Sequence, residues 1–570
     1  MKQHILLSIL MLSAVPCFSQ SALDAYSISQ PDLKGTARYM GMAGAFGALG
    51  GDLSAISQNP AGIGVYRSSD VGFTLDLDVQ NSNSSAKGFT YGMNQTKFLL
   101  NNIGAVLTMR LPSTSVPNLN FGFTYNKGAS FNRVFGGNIS NLRNSMSNYI
   151  AGIANSEGLT EGDVASTSDY DPYNPGYNDY PAPWLAILGY DSYLITPGID
   201  HYTGATKWYG LWSDSMKDNN TTGSGSFLMK EKGGVNEFNI VLGGNISNIL
   251  YWGMNFDIVN LNYSLSALWG EQLDNALVPD VNNNPVPTTA HWNLNNVYSV
   301  SGTGFNYQLG FILKPVQEFR LGFAFHTPTW YSINEEFGAA VNYTYGGSES
   351  GTVVANDGYL GYNSYNFRTP WKIIASAAGV IGNNLIVSFD YEWANYGSMR
   401  FSEPNVYDDY YDWNYPWYYS NPGGPVAASN NFFEANDPYA YVNSDISTYY
   451  KSTNTFRVGV EFKPISALSI RAGYSYISSP VKKEAANNQE IIYTAGTQPS
   501  YRFDNTTNYV TFGLGYRYKH FYADLAYVYK QMGSEYHAYS PDPENPQMPS
   551  PQSKITFNNN QVVLSLGYRF

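Results

Sequence analysis

The 570-residue chain is poor in charge, with 13% Asp, Glu, Lys and Arg, and rich in aromatics at 16%, including 49 Tyr. An ordinary soluble domain carries roughly 25% charged residues, yet mean hydropathy is only −0.29, which excludes a bundle of transmembrane helices. The net charge of −13, with no cluster of Lys and Arg, argues against nucleic acid as a partner. Two classes remain: a secreted all-β adhesin or fibre, and an outer-membrane barrel in which only alternate strand residues need be apolar.

The start, MKQHILLSILMLSAVPCFSQ (1–20), reads as a secretory signal peptide. Lys2 supplies the positive end, Ile5 to Val15 the apolar core and Ser19-Gln20 the cleavage point. Cys17 is the sole cysteine and is expected to leave with this peptide. A lipoprotein reading of Cys17 competes, but Pro16 makes a poor lipobox.

Residues 21–66 follow, and their centre reads GMAGAFGALGGDLSAISQNPAGIG (41–64). Gly41, Gly44, Gly47, Gly50 and Gly51 allow close backbone packing, and Ala43, Ala45 and Ala48 suit a confined space. Pro60 biases Asn59 away from helix. There is no GK[ST] for a phosphate loop, and Asp52 interrupts too early for a membrane helix. The segment is expected to be a hatch filling a barrel lumen, with a surface linker as the alternative.

From residue 67 to 570 hydrophobic alternation recurs. In YWGMNFDIV, Trp252, Met254, Phe256 and Ile258 oppose Gly253, Asn255 and Asp257; LSIRAGYSY (468–476) and NLIVSFDYEW (384–393) repeat the pattern. Period two is the strand period. Strands are expected near 69–80, 99–111, 118–131, 234–247, 250–263, 297–314, 317–328, 369–381, 384–394, 452–463, 467–478, 506–518, 521–532 and 556–570. That makes about fourteen, an even number as bacterial barrels have. Minimal joins such as Ser247-Asn248-Ile249, Lys314-Pro315-Val316, Gly382-Asn383, Lys463-Pro464-Ile465 and Lys519-His520 alternate with long connections rich in Asn, Gly, Asp and Tyr. A membrane-spanning antiparallel β-barrel has that asymmetry, and a soluble sandwich gives no reason for it. The connection after strand three contains NSMSNYIAGIANSEGL (144–159), read as a short amphipathic helix over the mouth. The aromatic loop at 406–425 is a candidate for ligand capture. The chain stops on Phe570, a terminal aromatic resembling the signal read by the barrel assembly machinery.

Inward charges include Arg320, Arg471 and Arg517. Each could grip a carboxylate head group, or pair with lumen acids such as Asp390 and Asp524. An enzyme is not expected. The five His after the signal (His201, His291, His326, His520 and His537) are scattered, and no HExxH, zinc spacing or G-x-S-x-G elbow is present. His326 reads as a satisfied residue near the outer rim. Neither a cofactor nor a metal is expected.

The succession GTARYMGMAGAFGALGGDLSAISQNPAGIG (35–64), followed directly by a strand, resembles the start of FadL/TodX-type outer-membrane transport proteins, with the motif as Asn59-Pro60-Ala61. The resemblance implies a fourteen-stranded barrel, closed by an N-terminal hatch, in the outer membrane of a Gram-negative bacterium. It would meet lipid and lipopolysaccharide and take up hydrophobic small molecules such as long-chain fatty acids or aromatic hydrocarbons. It also puts Leu23, Tyr26 and Ile28 in the lumen near ligand and adds a lateral exit through a kinked early strand. Gly122 and Gly128 of the third strand suit that bend, or else face the lumen to make room for the plug. The second functional reading is a receptor or adhesin barrel whose long loops bind an extracellular partner around a purely structural plug.

Overall fold

The computed structural model describes residues 21–86, 89–175, 182–199, 204–213, 220–280, 284–347, 349–382, 384–404, 437–487, 492, 494, 496–541 and 550–570. The expected signal peptide with Cys17, His201 and the aromatic loop at 406–425 lie outside the described residues.

Fourteen strands close one antiparallel ring: β1 (Asp70–Ala86), β2 (Phe89–Arg110), β3 (Asn118–Ser130), β4 (Thr222–Ile246), β5 (Leu250–Pro279), β6 (Pro285–Val316), β7 (Phe319–His326), β8 (Lys372–Ile381), β9 (Leu385–Asn395), β10 (Ser452–Ile465), β11 (Leu468–Ile477), β12 (Tyr501–Tyr518), β13 (Phe521–His537) and β14 (Gln552–Arg569). Each pairs with its sequence neighbour, and β14 returns to β1 from Asp70↔Arg569 to Ser85↔Lys554. Ser69 and Phe570 exchange two backbone hydrogen bonds of 3.0 Å and seal the seam. Closure leaves no open edge there, as a membrane demands.

The alternation read from the sequence sets the two faces. Met254, Ile258, Phe323, Phe389, Ile470, Phe512, Leu564 and Leu566 are exposed on the outside, facing lipid. Asn255, Asp257, Ser388, Asp390, Arg471 and Ser475 are buried on the inside. Each apolar side chain left on the lipid face avoids the penalty of a polar one there.

At the short-turn end the strands stop where the alternation stops. At the other end several continue further. Residues 81–98 and 264–296, expected to be loops, are largely continuations of β1, β2, β5 and β6. Residues 329–368 add the strands Trp330–Tyr345, Glu349–Val354 and Gly361–Arg368, the first pairing with β6 from Trp330↔Phe305 to Tyr345↔Ala290. Beyond the lipid band no face must be aliphatic, so the periodic signal fades while backbone pairing persists. The expected helix in the connection after β3 is Met146–Ser156, capped by Ser145 accepting from the N–H of Ser147 at 3.1 Å.

Candidate functional site

Residues 21–66 lie inside the ring and are almost wholly buried. They form α1 (Ala22–Ser29), the short α2 (Ala37–Met40) and the 3-10 turns Ala55–Ser57 and Pro60–Val65. Thr36 caps α2 by accepting from Tyr39 N–H at 3.2 Å. Asn59 caps the last turn by accepting from Ala61 N–H at 3.1 Å, with Pro60 in the first helical position, where its missing N–H costs nothing.

The hatch is fitted to the wall through glycine on both sides. A methyl on Gly310 of β6 would overlap Asn59 Oδ1, one on Gly253 of β5 would overlap the Pro60 carbonyl, and one on Gly322 of β7 the Gly47 carbonyl. Gly41 lies against Gly513 of β12, and Met42 against Gly459 of β10 and Gly473 of β11. Of the hatch glycines, Gly50 adopts φ +61° and abuts Gly62, and Gly47 accommodates Ser376 and Asp390. The sequence singles out the hatch glycines. The matching wall glycines go unread because a Gly in a strand looks like any small lumen residue.

Charges then lock the seat. Arg38 Nε stands 3.1 Å from Glu461 Oε2, and Arg471 joins Glu461 at 2.7 Å to Asp524 at 2.5 Å. Lys34 Nζ reaches Asp76 at 2.8 Å and Asp78 at 3.3 Å and donates to Gln561 at 2.9 Å. Burial works against the Lys34 ammonium, but Asp76, Asp78 and Asp32 outweigh it and raise its pKa. Asp390 accepts from Gly47 N–H at 2.9 Å and Gln58 Nε2 at 3.0 Å.

Of the three arginines, two have partners in the lumen acids or the hatch. Arg471 is held between two acids, Arg320 donates to the Leu49 carbonyl at 2.8 Å, and Arg517 is exposed near the short-turn end of β12. His326 is satisfied, as expected, but beside the hatch and not at the outer rim. β7 is so short that its last residue lies beside the hatch, where His326 Nε2 meets the Gln58 carbonyl at 2.9 Å.

On the long-loop side of this seat lies a packed aromatic cluster, of which α1 forms part. Leu23, Tyr26 and Ile28 are all buried. Tyr26 stacks on Tyr450 at 5.2 Å and meets Tyr396 edge-on at 5.4 Å. Phe131, Tyr263 and Tyr298 continue the cluster, and Glu335 accepts from the hydroxyls of Tyr298 at 3.1 Å and Tyr365 at 3.0 Å.

The wall itself is interrupted beside this cluster. The β2–β3 ladder runs from Arg110↔Asn118 to Asn102↔Asn126 and stops, although β2 continues to Phe89. β3 ends at Ser130, and after Phe131-Asn132 the strand Arg133–Ile139 pairs only with β4. It turns inward over β1, where Ser82 Oγ donates to the Val134 carbonyl at 2.6 Å and Gln80 Oε1 accepts from Val134 N–H at 3.2 Å. A small cavity at the break is lined by Gln30, Asp32, Ser130, Arg133, Lys530 and Phe557, among others. Gly128 is the extra residue in a register shift against β4, whereas Gly122 sits in regular ladder between Val106 and Val241. The break itself carries neither Gly nor Pro, so no sequence signal marks Phe131-Asn132.

A family model described as outer membrane protein transport protein (OMPP1/FadL/TodX) matches residues 234–521, half of the chain. The chain belongs to this family. The match begins in β4, so membership in OMPP1/FadL/TodX rests on the barrel and not on the hatch motif. No curated protein matches the chain in sequence. Among solved structures, a Pseudomonas aeruginosa FadL homologue is 12% identical, with 95% of this chain and 99% of that one covered and a TM-score of 0.49. The P. putida toluene transporter TodX is 14% identical with the same coverages and a TM-score of 0.46. The Ralstonia pickettii toluene transporter TbuX is 14% identical, again over 95% and 99%, with a TM-score of 0.44.

Proposed function

We propose that this FadL/TodX-family protein takes up hydrophobic small molecules, of the long-chain fatty acid or aromatic hydrocarbon type, and releases them sideways. A solute enters from the long-loop end and settles among the aromatic side chains around Tyr26, where leaving water is favourable. It leaves through the wall between β2 and β3 when the hatch shifts. The Asn59-Pro60-Ala61 turn keeps the hatch seated between such events.

The observation that carries this reading is the ladder that ends at Asn102↔Asn126 while β2 runs on. A continuous barrel wall offers an apolar solute no path to lipid, because every strand is hydrogen-bonded to its neighbours. A route straight through the short-turn end would have to dislodge a hatch held by the Glu461 and Asp76 ion pairs.

Uptake of a radiolabelled apolar solute by whole cells tests it. Asn132→Cys, modified with a bulky maleimide, should cut uptake about tenfold against the unmodified variant. Unchanged uptake would rule out the side route. Mass spectrometry of small molecules retained by the purified protein would identify the substrate.

A further inference from the structure

Successive backbone N–H groups of a strand point to opposite sides. Phe131 N–H donates to the Gly233 carbonyl of β4 at 3.1 Å, so Ser130 N–H points the other way, toward β2. The register Asn102↔Asn126, extended, would set Phe98 opposite Ser130, but the ladder has already ended. Asp32 of the hatch takes that N–H instead, through Oδ2 at 3.3 Å. Its Oδ1 is fixed by Lys530 at 3.0 Å and the Tyr509 hydroxyl at 3.1 Å. On the other side of the break, Arg133 Nη2 donates to Gln30 Oε1 at 2.7 Å.

We propose that Gln30 and Asp32 are positioning residues, a clasp by which the hatch supplies the hydrogen bonds that β2 withholds and so sets the width of the gap in the wall. The two residues grip Ser130 and Arg133, which flank the turn inward. Hatch and gap then move as one body. A hatch displaced by an incoming solute carries Asp32 away from Ser130, and the end of β3 is freed at the moment of release. The link to release rests on the lateral route proposed above; the clasp itself does not.

The test measures the gap directly, without substrate. Spin labels are placed at Phe98→Cys and Asn132→Cys in a Cys17→Ser background, and their distance distribution is read by pulsed electron resonance on the full-length protein in detergent. The native clasp should give one narrow distribution. Asp32→Ala should broaden it at least twofold. Asp32→Asn keeps an acceptor for Ser130 N–H while losing the ion pair to Lys530, so it should stay close to native. An unchanged width in Asp32→Ala overturns the clasp. Equal broadening in Asp32→Asn also overturns it, since the ion pair alone would then explain the effect. If Asp32→Ala does not fold, Gln30→Ala carries the same expectation for the Arg133 side. A clasp that passes this test while the uptake experiment fails would leave the coupling standing and remove the lateral route.

Discussion

Asn59 Nδ2 donates to the Gly47 carbonyl at 2.6 Å, tying the two ends of the hatch's glycine-rich loop across twelve residues of chain. The same amide donates to the Phe311 carbonyl of β6 at 3.3 Å, and its oxygen accepts from Ala61 N–H at 3.1 Å. One side chain thus closes the loop, caps the turn and pins both to the wall. Asn59→Ala should leave several buried backbone groups unpaired, at about 1–3 kcal/mol for such a group. We expect protease cleavage within residues 41–64 and impaired uptake, with the barrel still resisting heat and detergent. A fully protected hatch in this variant would contradict the role assigned to Asn59.

The wall glycines make a second prediction. Gly310→Ala and Gly322→Ala each place a methyl where Asn59 or Gly47 now stands. Overpacking of this kind costs roughly 1–3 kcal/mol. Because β6 and β7 remain paired, the cost should fall on the hatch. Hydrogen exchange should rise in residues 41–64 and stay unchanged in β6. Exchange that rises in the strands instead would mean the wall yields first.

Arg471 separates a ligand role from a structural one. It lies buried between Glu461 and Asp524, and removing it leaves Asp524 without its cation. Breaking a buried pair from one side costs about 3–5 kcal/mol. Arg471→Met should lower the thermal midpoint of the barrel, and Asp524→Leu added to it should recover much of the loss. Affinity for a carboxylate-bearing apolar probe should stay within about twofold in the double variant. A selective loss of that affinity would restore Arg471 as a ligand contact.

His537 predicts a pH dependence. It ends β13, ten residues beyond Tyr527, a residue exposed to lipid, and is fully buried with its ring stacked on Tyr501 at 4.5 Å. Burial lowers its pKa to about 3. The unfolded side chain binds a proton near pH 6.5, whereas the folded one does not until far lower. Its contribution is therefore complete above pH 6.5 and is lost progressively as pH falls toward 3. Hydrogen exchange at residues 537–541 should accelerate on acidification below pH 6, and His537→Phe should flatten that response. An identical acid response in the variant would place the titrating group elsewhere.

The barrel was legible in the sequence because lipid imposes a rule that each strand obeys by itself. Lipid on one face and lumen on the other make alternate residues apolar, as from Trp252 to Ile258, and a tight turn such as Ser247-Asn248-Ile249 punctuates the pattern without help from distant residues. The hatch was legible for a similar reason, since a segment rich in glycine and alanine that ends in Asn59-Pro60-Ala61 advertises close packing. Only the tertiary structure decided what those features meet. Gly310 and Gly322 become contacts only when the hatch lies against them, and Arg471 becomes a structural ion only once Glu461 and Asp524 flank it. The break after Ser130 is set by bonds to Gly233, Asp32 and Gln80, which are far away in sequence. Local periodicity reports the solvent on each face of a strand; it carries no record of which backbone group a distant side chain will satisfy.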